Sequence, residues 1–394
     1  VTLKAANIAL EADAGSVNVA ARLDASGDKG GHIRLSAKQD INVLSGAVFD
    51  VSATGAGNAG GNVDLQSTSG AITLQSGSTF NAAGAAGNGD VRLRAARTAD
   101  NNDVQIAALA AAFNNVNRVF LEAYKVYPVA GALTAADFAA DSSWYTDANN
   151  FIANTSAIKN RLGIAEDQRV QLAPGIEVTS SGDMTLNDDV SLAAWRFDPA
   201  GSVVTSDQLS SGQNLAGENL VAGVLTLRAA GNLKLNGSLS DGFSTVSTSS
   251  AMQGMESWSY RLAAGTDFTR SRLDAVQANV GDLTLASDKL VRTGTGYIDI
   301  AAGRDVILHN EASVIYTAGH ATPRLADYPR LSAIFRNANF PTDGGDIVIQ
   351  AGNDITAVPG SQLFTPWLYR VGALNPDGTI NTNSRTTWWT NFAD

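Results

Sequence analysis

The chain of 394 residues carries 27 Lys and Arg against 38 Asp and Glu, a net charge of −11, with no cysteine and three scattered histidines. No basic run is present to neutralise phosphates, so nucleic acid is excluded as a partner. The missing cysteines exclude disulfides, thiolate metal sites and a Cys nucleophile, and the spacing of His32, His309 and His320 excludes a zinc-protease site. Hydrophobic residues at 44% suffice for a core, but aromatics at 7% and charged residues at 16% are lean for a globular enzyme. No stretch has the length of a membrane span and no signal-type n-region and h-region open the chain, so no membrane insertion is expected. The start at Val1, in mid-pattern, reads as a piece of a longer protein.

Residues 1–107 alternate short apolar-x-apolar strands with glycine, serine and aspartate. Apolar pairs fall at Val1/Leu3, Ile8/Leu10, Val17/Val19, Ile33/Leu35, Ile41/Val43, Val63/Leu65, Ile72/Leu74, Val91/Leu93 and Val104/Ile106, each with both side chains on one face. Within this stretch a block is written twice. Gly30-Gly31-His32-Ile33-Arg34-Leu35 matches Gly60-Gly61-Asn62-Val63-Asp64-Leu65, Ile41-Asn42-Val43 matches Ile72-Thr73-Leu74, and Gly46 to Phe49 matches Gly77 to Phe80. A near-constant offset that holds three short strands predicts a β-solenoid, whose layers bury one another's faces.

Between residues 108 and 166 the composition turns to Ala, Asn and aromatics, and a mainly helical insertion is predicted. Phe151, Ile152, Thr155, Ile158 and Leu162 fall at helical spacing, with Thr146 and Asp147 as an expected N-cap and Gly163 as the residue after the helix. Thr134 followed by Asp137 offers a second helix start. Strands resume over 167–394, at Val170/Leu172, Ile176/Val178, Met184/Leu186, Val190/Leu192, Leu225/Leu227 and Leu233/Leu235, with loop insertions expected near 241–280 and 320–343. Ile298, Val306 and Val314 match Ile347, Ile355 and Leu363 at one constant offset, and taking 320–343 out of that offset leaves the length of a single layer.

Four segments of this last part carry a resemblance. Leu225-Thr226-Leu227-Arg228-Ala229-Ala230-Gly231-Asn232-Leu233 running to Ser240-Asp241-Gly242-Phe243, Trp258-Ser259-Tyr260-Arg261-Leu262-Ala263-Ala264-Gly265, Val291-Arg292-Thr293-Gly294-Thr295-Gly296 and Val314-Ile315-Tyr316-Thr317-Ala318-Gly319 resemble the filamentous-haemagglutinin-type exoproteins of Gram-negative bacteria. The resemblance implies a right-handed single-stranded parallel β-helix, export by an outer-membrane two-partner secretion transporter acting on another part of the parent, and a place on the bacterial surface or in the medium. It brings no catalytic residue. The family's Asn-Pro-Asn secretion motif has no counterpart, Asn375-Pro376-Asp377-Gly378 reading as a turn. Gly303-Arg304-Asp305 is not an Arg-Gly-Asp receptor motif.

Parallel β-helices also scaffold polysaccharide lyases and glycosidases, so paired acids matter. Asp188 and Asp189, with Asp183 nearby, are the densest acidic group, but adjacent residues on a strand face opposite ways and suit turns better than a two-carboxylate site. No basic residue is read as flanking an acidic cluster on consecutive layers. Gly60-Gly61-Asn62-Val63-Asp64 and Gly344-Gly345-Asp346-Ile347 put an apolar residue where a calcium β-roll repeat needs glycine. Trp367, Trp388 and Trp389 have the chemistry to stack on sugars but read as packing. The expectation is therefore an all-β rod of ten or so layers, on the order of 50 Å long at about 4.8 Å per strand. Its expected role is a non-catalytic adhesive shaft with no cofactor and no metal, meeting a surface glycan or protein. A carbohydrate-active β-helical enzyme and the stalk of a contact-dependent toxin are the alternatives.

Overall fold

The computed structural model describes residues 1–247, 252–320 and 343–358. The chain is all-β in character, 41% strand and 8% helix, and its strands form curled parallel sheets. Among the described residues the longest sheet has ten strands: Asn7–Ala12, His32–Ala37, Asn62–Ser67, Val91–Ala96, Val119–Pro128, Val170–Ser180, Val224–Ala229, Ser259–Ala264, Ile298–Ala302 and Ile347–Ala351, paired in chain order. Partners in adjacent strands can be as near in sequence as Ile8 and Ile33 or as far apart as Val119 and Val170. The intervening chain supplies strands to shorter parallel sheets, such as Val17–Val19, Ile41–Val43, Ile72–Leu74 and Ile106–Leu109.

The written-twice block pairs as its offsets predict: Ile33 with Val63, Leu35 with Leu65, Ile41 with Ile72 and Phe49 with Phe80. Their side chains are fully buried and meet in columns, because period-two alternation aims each apolar pair at the same interior. Phe49 and Phe80 stack with ring centres 4.6 Å apart, and Phe113 continues the column at 5.4 Å. Between strands the chain turns where glycines nest on backbone. A Cβ on Gly61 would stand 1.7 Å from the carbonyl oxygen of Gly31, and one on Gly89 would stand 1.7 Å from that of Gly61. The later match also holds, Ile298 pairing with Ile347 and Val306 with Ile355. Leu363 and the 321–342 part of the expected insertion lie outside the described residues.

The long sheet is neither straight nor in one register. Val91 pairs with Val119 and Val119 with Val170, yet the next strand joins at Gly175 with Val224, five residues further along. At about 3.3 Å per residue this is a sideways step of about 16 Å. Val170–Ser180 is thus one strand, where the sequence pattern predicts two separated by Pro174-Gly175. Pro174 has no N–H to give and sits just before the register point at which the following strand begins, so it breaks no ladder. Gly175 is held to glycine by its partner Tyr124, whose Cβ would lie 2.7 Å from an added Cβ.

The expected helical insertion 108–166 is helical only in its second half. Residues 108–133 include the strands Ala112–Asn114, Val119–Pro128 and Ala132–Leu133, because valines and aromatics there complete the sheets. A 3-10 turn (Ala135–Phe138) follows, with the Thr134/Asp137 capping box in place, then two helices, Ser143–Ile152 and Thr155–Leu162. Thr146 and Asp147 lie inside the first helix. Its cap is Ser142, whose hydroxyl accepts from the Tyr145 N–H at 3.2 Å. The helical stripe is buried throughout, and Gly163 ends the second helix at φ 72°. Ser142→Ala is expected to cost about 1 kcal/mol, read as faster amide exchange over residues 143–146 with no change in the ten-stranded sheet.

Residues 241–280 are likewise not one loop; of these, 248–251 lie outside the described residues. Ser259–Ala264 is the eighth strand of the long sheet, Tyr260 is core, and Trp258 packs on Trp195 at 5.8 Å in an aromatic cluster with Phe138 and Phe197. Residues 265–281 then leave the sheet as a strap tied by a Thr266–Val276 bridge.

Candidate functional site

In a flat parallel sheet the second and tenth strands would stand about 38 Å apart, at about 4.8 Å per strand. Here Arg34 on the second and Val348 on the tenth line one cavity of about 150 Å³. The long sheet curls so that the face pointing away from its apolar core becomes concave, and the rod expected from sequence is a bent body with a cleft. The strap lies across the opening: Arg270 meets Glu11 at 2.8 Å and Asp13 at 3.0 Å, the Gln66 side chain donates to the Ser271 carbonyl, and Asp274 pairs with Arg34 at 2.9 Å.

The cleft is built from the middle residues of apolar-x-apolar strands. Across strands Arg34, Asp64 and Arg92 are register neighbours, as are Arg94 and Glu122, so charges of opposite sign alternate up each column. On the far wall stand Arg228, Arg261 and Asp299, with Glu177 hydrogen-bonded to Arg228. The sequence reading places no basic residue beside acids on consecutive layers; the structure corrects this, because register and curl bring together residues as distant in the chain as Glu122 and Arg261.

Deep in the cleft the charges close on one another. Glu122 accepts from Arg94 at 2.9 Å and twice from Arg261, at 2.9 and 2.7 Å; Glu177 accepts from Arg94 at 2.5 Å and from Arg228 at 2.8 Å. The Arg94 guanidinium also lies 3.6 Å from the Tyr124 ring centre. Burial alone would push the Glu177 carboxyl up, but Arg94 and Arg228 outweigh it and hold its pKa below the ordinary value. Burial likewise works against the charge on Arg94, and Glu122 and Glu177 together raise its pKa nevertheless. This network is structural glue, since both of its carboxylates are taken up by guanidinium groups.

Nearer the opening the arrangement is looser. Asp64 pairs with His32 at 2.5 Å; burial pushes its carboxyl up, while His32, Arg92 and Arg34 bring it below the usual carboxylate range. Asp299 goes the other way, burial raising it against the pull of Arg261 and Arg92, with Asp64 adding to the rise. Among the described residues Asp299 and Arg92 make no side-chain hydrogen bond or ion pair; the Arg92 guanidinium lies 5.2 Å from the Tyr297 ring centre, as does that of Arg261. Two carboxyls with opposite shifts and a guanidinium that makes no hydrogen bond share one recess.

The acids singled out from sequence are elsewhere and serve turns. Asp183 accepts from the Asn232 N–H at 2.8 Å, Asp188 from the Ala135 N–H at 3.0 Å, and Asp189 from the Ser238 N–H at 2.6 Å. Gly60 and Gly61 nest on backbone and Asp64 turns into the cleft; among the described residues no group of three His, Asp or Glu is placed to hold a metal ion. Arg304 pairs with Asp282 rather than standing free. Trp367, Trp388, Trp389 and Asn375 to Gly378 lie outside the described residues. Among the described residues no helix is long and apolar enough to cross a membrane. No family model, curated protein or solved structure matches this chain.

Proposed function

We propose that the chain is a right-handed single-stranded parallel β-helix and serves as a non-catalytic, adhesive shaft segment of a secreted bacterial surface protein of filamentous-haemagglutinin type. The observation that carries this reading is the run of ten parallel strands paired in chain order, whose apolar columns continue from strand to strand on either side of the step at Val170–Ser180. All four segments that carry the resemblance lie on paired parallel strands, two of them ending in positive-φ glycines, Gly265 at 71° and Gly319 at 74°. Export through an outer-membrane transporter suits such a body, because layers can be added one at a time to those already formed. In a binding screen against surface glycans and matrix proteins the purified chain is expected to bind saturably and to release no reducing ends. Release of reducing ends from a polysaccharide would overturn the non-catalytic role.

One observation favours the second reading, a carbohydrate-active enzyme. Asp64 and Asp299 line one cleft, Asp64 held below and Asp299 raised above the usual carboxylate range, a pair of acids with unlike surroundings such as acid–base catalysis uses. On that reading Asp299→Asn abolishes turnover while leaving the fold unchanged by circular dichroism.

A further inference from the structure

Among the described residues six arginines line the cleft against four carboxylates, and the pairs described above occupy most of them. What is left over is specific. The Arg92 guanidinium has no hydrogen-bond or ion-pair partner, the Asp299 carboxyl has none, and the hydroxyls of Tyr297, Thr226 and Ser36 are buried without a hydrogen bond among the described residues. Buried polar atoms are rarely left unsatisfied, and three such hydroxyls beside a guanidinium and a carboxyl that make no hydrogen bond mark a place where something else supplies the partners. The recess, at about 150 Å³, has the volume that holds a single six-membered ring in a protein interior.

We infer that the cleft binds one acidic sugar residue, a ring carrying a carboxylate and several hydroxyls, with the carboxylate on Arg92 and the hydroxyls read by Asp299, Tyr297 and Thr226. A planar guanidinium lying on an aromatic ring keeps its edge free for the two parallel bonds a carboxylate accepts. A carboxyl beside it accepts from sugar hydroxyls, which a simple inorganic anion cannot offer. A neutral sugar would leave Arg92 unpaired, and a small carboxylate such as acetate would leave Asp299 and Tyr297 so. Among the lining residues Arg34 and Asp274 have side chains 39% and 26% exposed. The inference deepens the adhesive reading by naming a class of glycan, and it rests on that reading only for where the sugar comes from.

Titration calorimetry of the whole chain with D-galacturonate and D-glucuronate tests it, with D-galactose, acetate and sulfate as the other arms. At least one uronate is expected to bind saturably, with each of the other three at least about tenfold weaker. Arg92→Gln is expected to weaken uronate binding by about tenfold or more, and Tyr297→Phe by less, both with unchanged circular dichroism. Absence of uronate binding by the wild-type chain overturns the inference and means that water fills the recess. Galactose, acetate or sulfate binding as tightly as the uronate also overturns it, as does an undiminished affinity in a folded Arg92→Gln chain. A chain that binds immobilised glycans but ignores free uronates refutes the cleft and leaves the shaft standing.

Discussion

Asp241→Ala is expected to cost about 3–5 kcal/mol. Asp241 and Arg196 are both fully buried, and the carboxylate accepts from the guanidinium at 3.0 and 2.9 Å. It also accepts from the Trp258 N–H at 2.6 Å, while Arg196 donates onward to the carbonyls of Leu192 and Trp195. Truncating the acid leaves a cation in an apolar surround with only carbonyls to face, beside Trp195 and Trp258. Replacing both partners, with Arg196→Met and Asp241→Leu together, is expected to recover most of the loss, because the cost lies in the uncompensated charge more than in the missing attraction. The strands that lead into this buried pair hydrogen-bond to the strands beside them, so the damage should be largest there. Hydrogen exchange is the measurement: amides of residues 190–198 and 238–243 should open more readily while those of residues 32–50 keep their protection. A global loss of less than about 1 kcal/mol, or uniform loss along the chain, would sink this account.

Glu177→Ala is also expected to cost about 3–5 kcal/mol, with a change of shape. Its carboxylate stands between Arg94 and Arg228, one from each limb of the curled sheet, and all three side chains are almost wholly buried. Without it two guanidinium groups face one another across a closed cleft, and the limbs should part until water reaches them. Small-angle scattering is expected to give a larger radius of gyration for the variant. Acid is expected to do the same to the wild-type chain. Because the folded pKa of Glu177 lies below its ordinary value of 4.5, its contribution is present in full above that pH and fades as pH falls through the folded value. Glu177→Gln should therefore remove part of the acid sensitivity below pH 4.5 and leave stability at neutral pH lower. An acid profile identical to wild type would refute the assignment.

The layers were legible because their signal is local: apolar residues two apart, a glycine where the backbone turns, and a block that recurs at a nearly fixed offset. Ile33 over Val63 and Ile298 over Ile347 follow from that alone. The step at Val170–Ser180 was not legible, because Pro174-Gly175 is a turn signal everywhere except beside a strand that has not yet begun. The cleft was hidden for a related reason. Nothing local tells Glu122 that it will meet Arg261, since the pairing depends on register summed over two intervening strands and on the curl. One signal was available. Aligning the written-twice block sets Arg34 over Asp64, and extending the alignment by one strand sets Arg92 beyond, a column of alternating charge on the outward face that a purely solvated surface has no need to keep.

The strap imposes an order on assembly. Arg270 and Ser271 reach back to Glu11 and Asp13, at and just beyond the end of the opening strand of the long sheet, from the far side of the chain. Long-range closures of this kind are made late, after the local ones that shorten the loop. A chain delivered from its amino end therefore builds its first layers early but fastens them last. Until the eighth strand and the strap after it are laid down, the far wall of the cleft is incomplete, and a nascent chain is open at the place where the finished one is fastened.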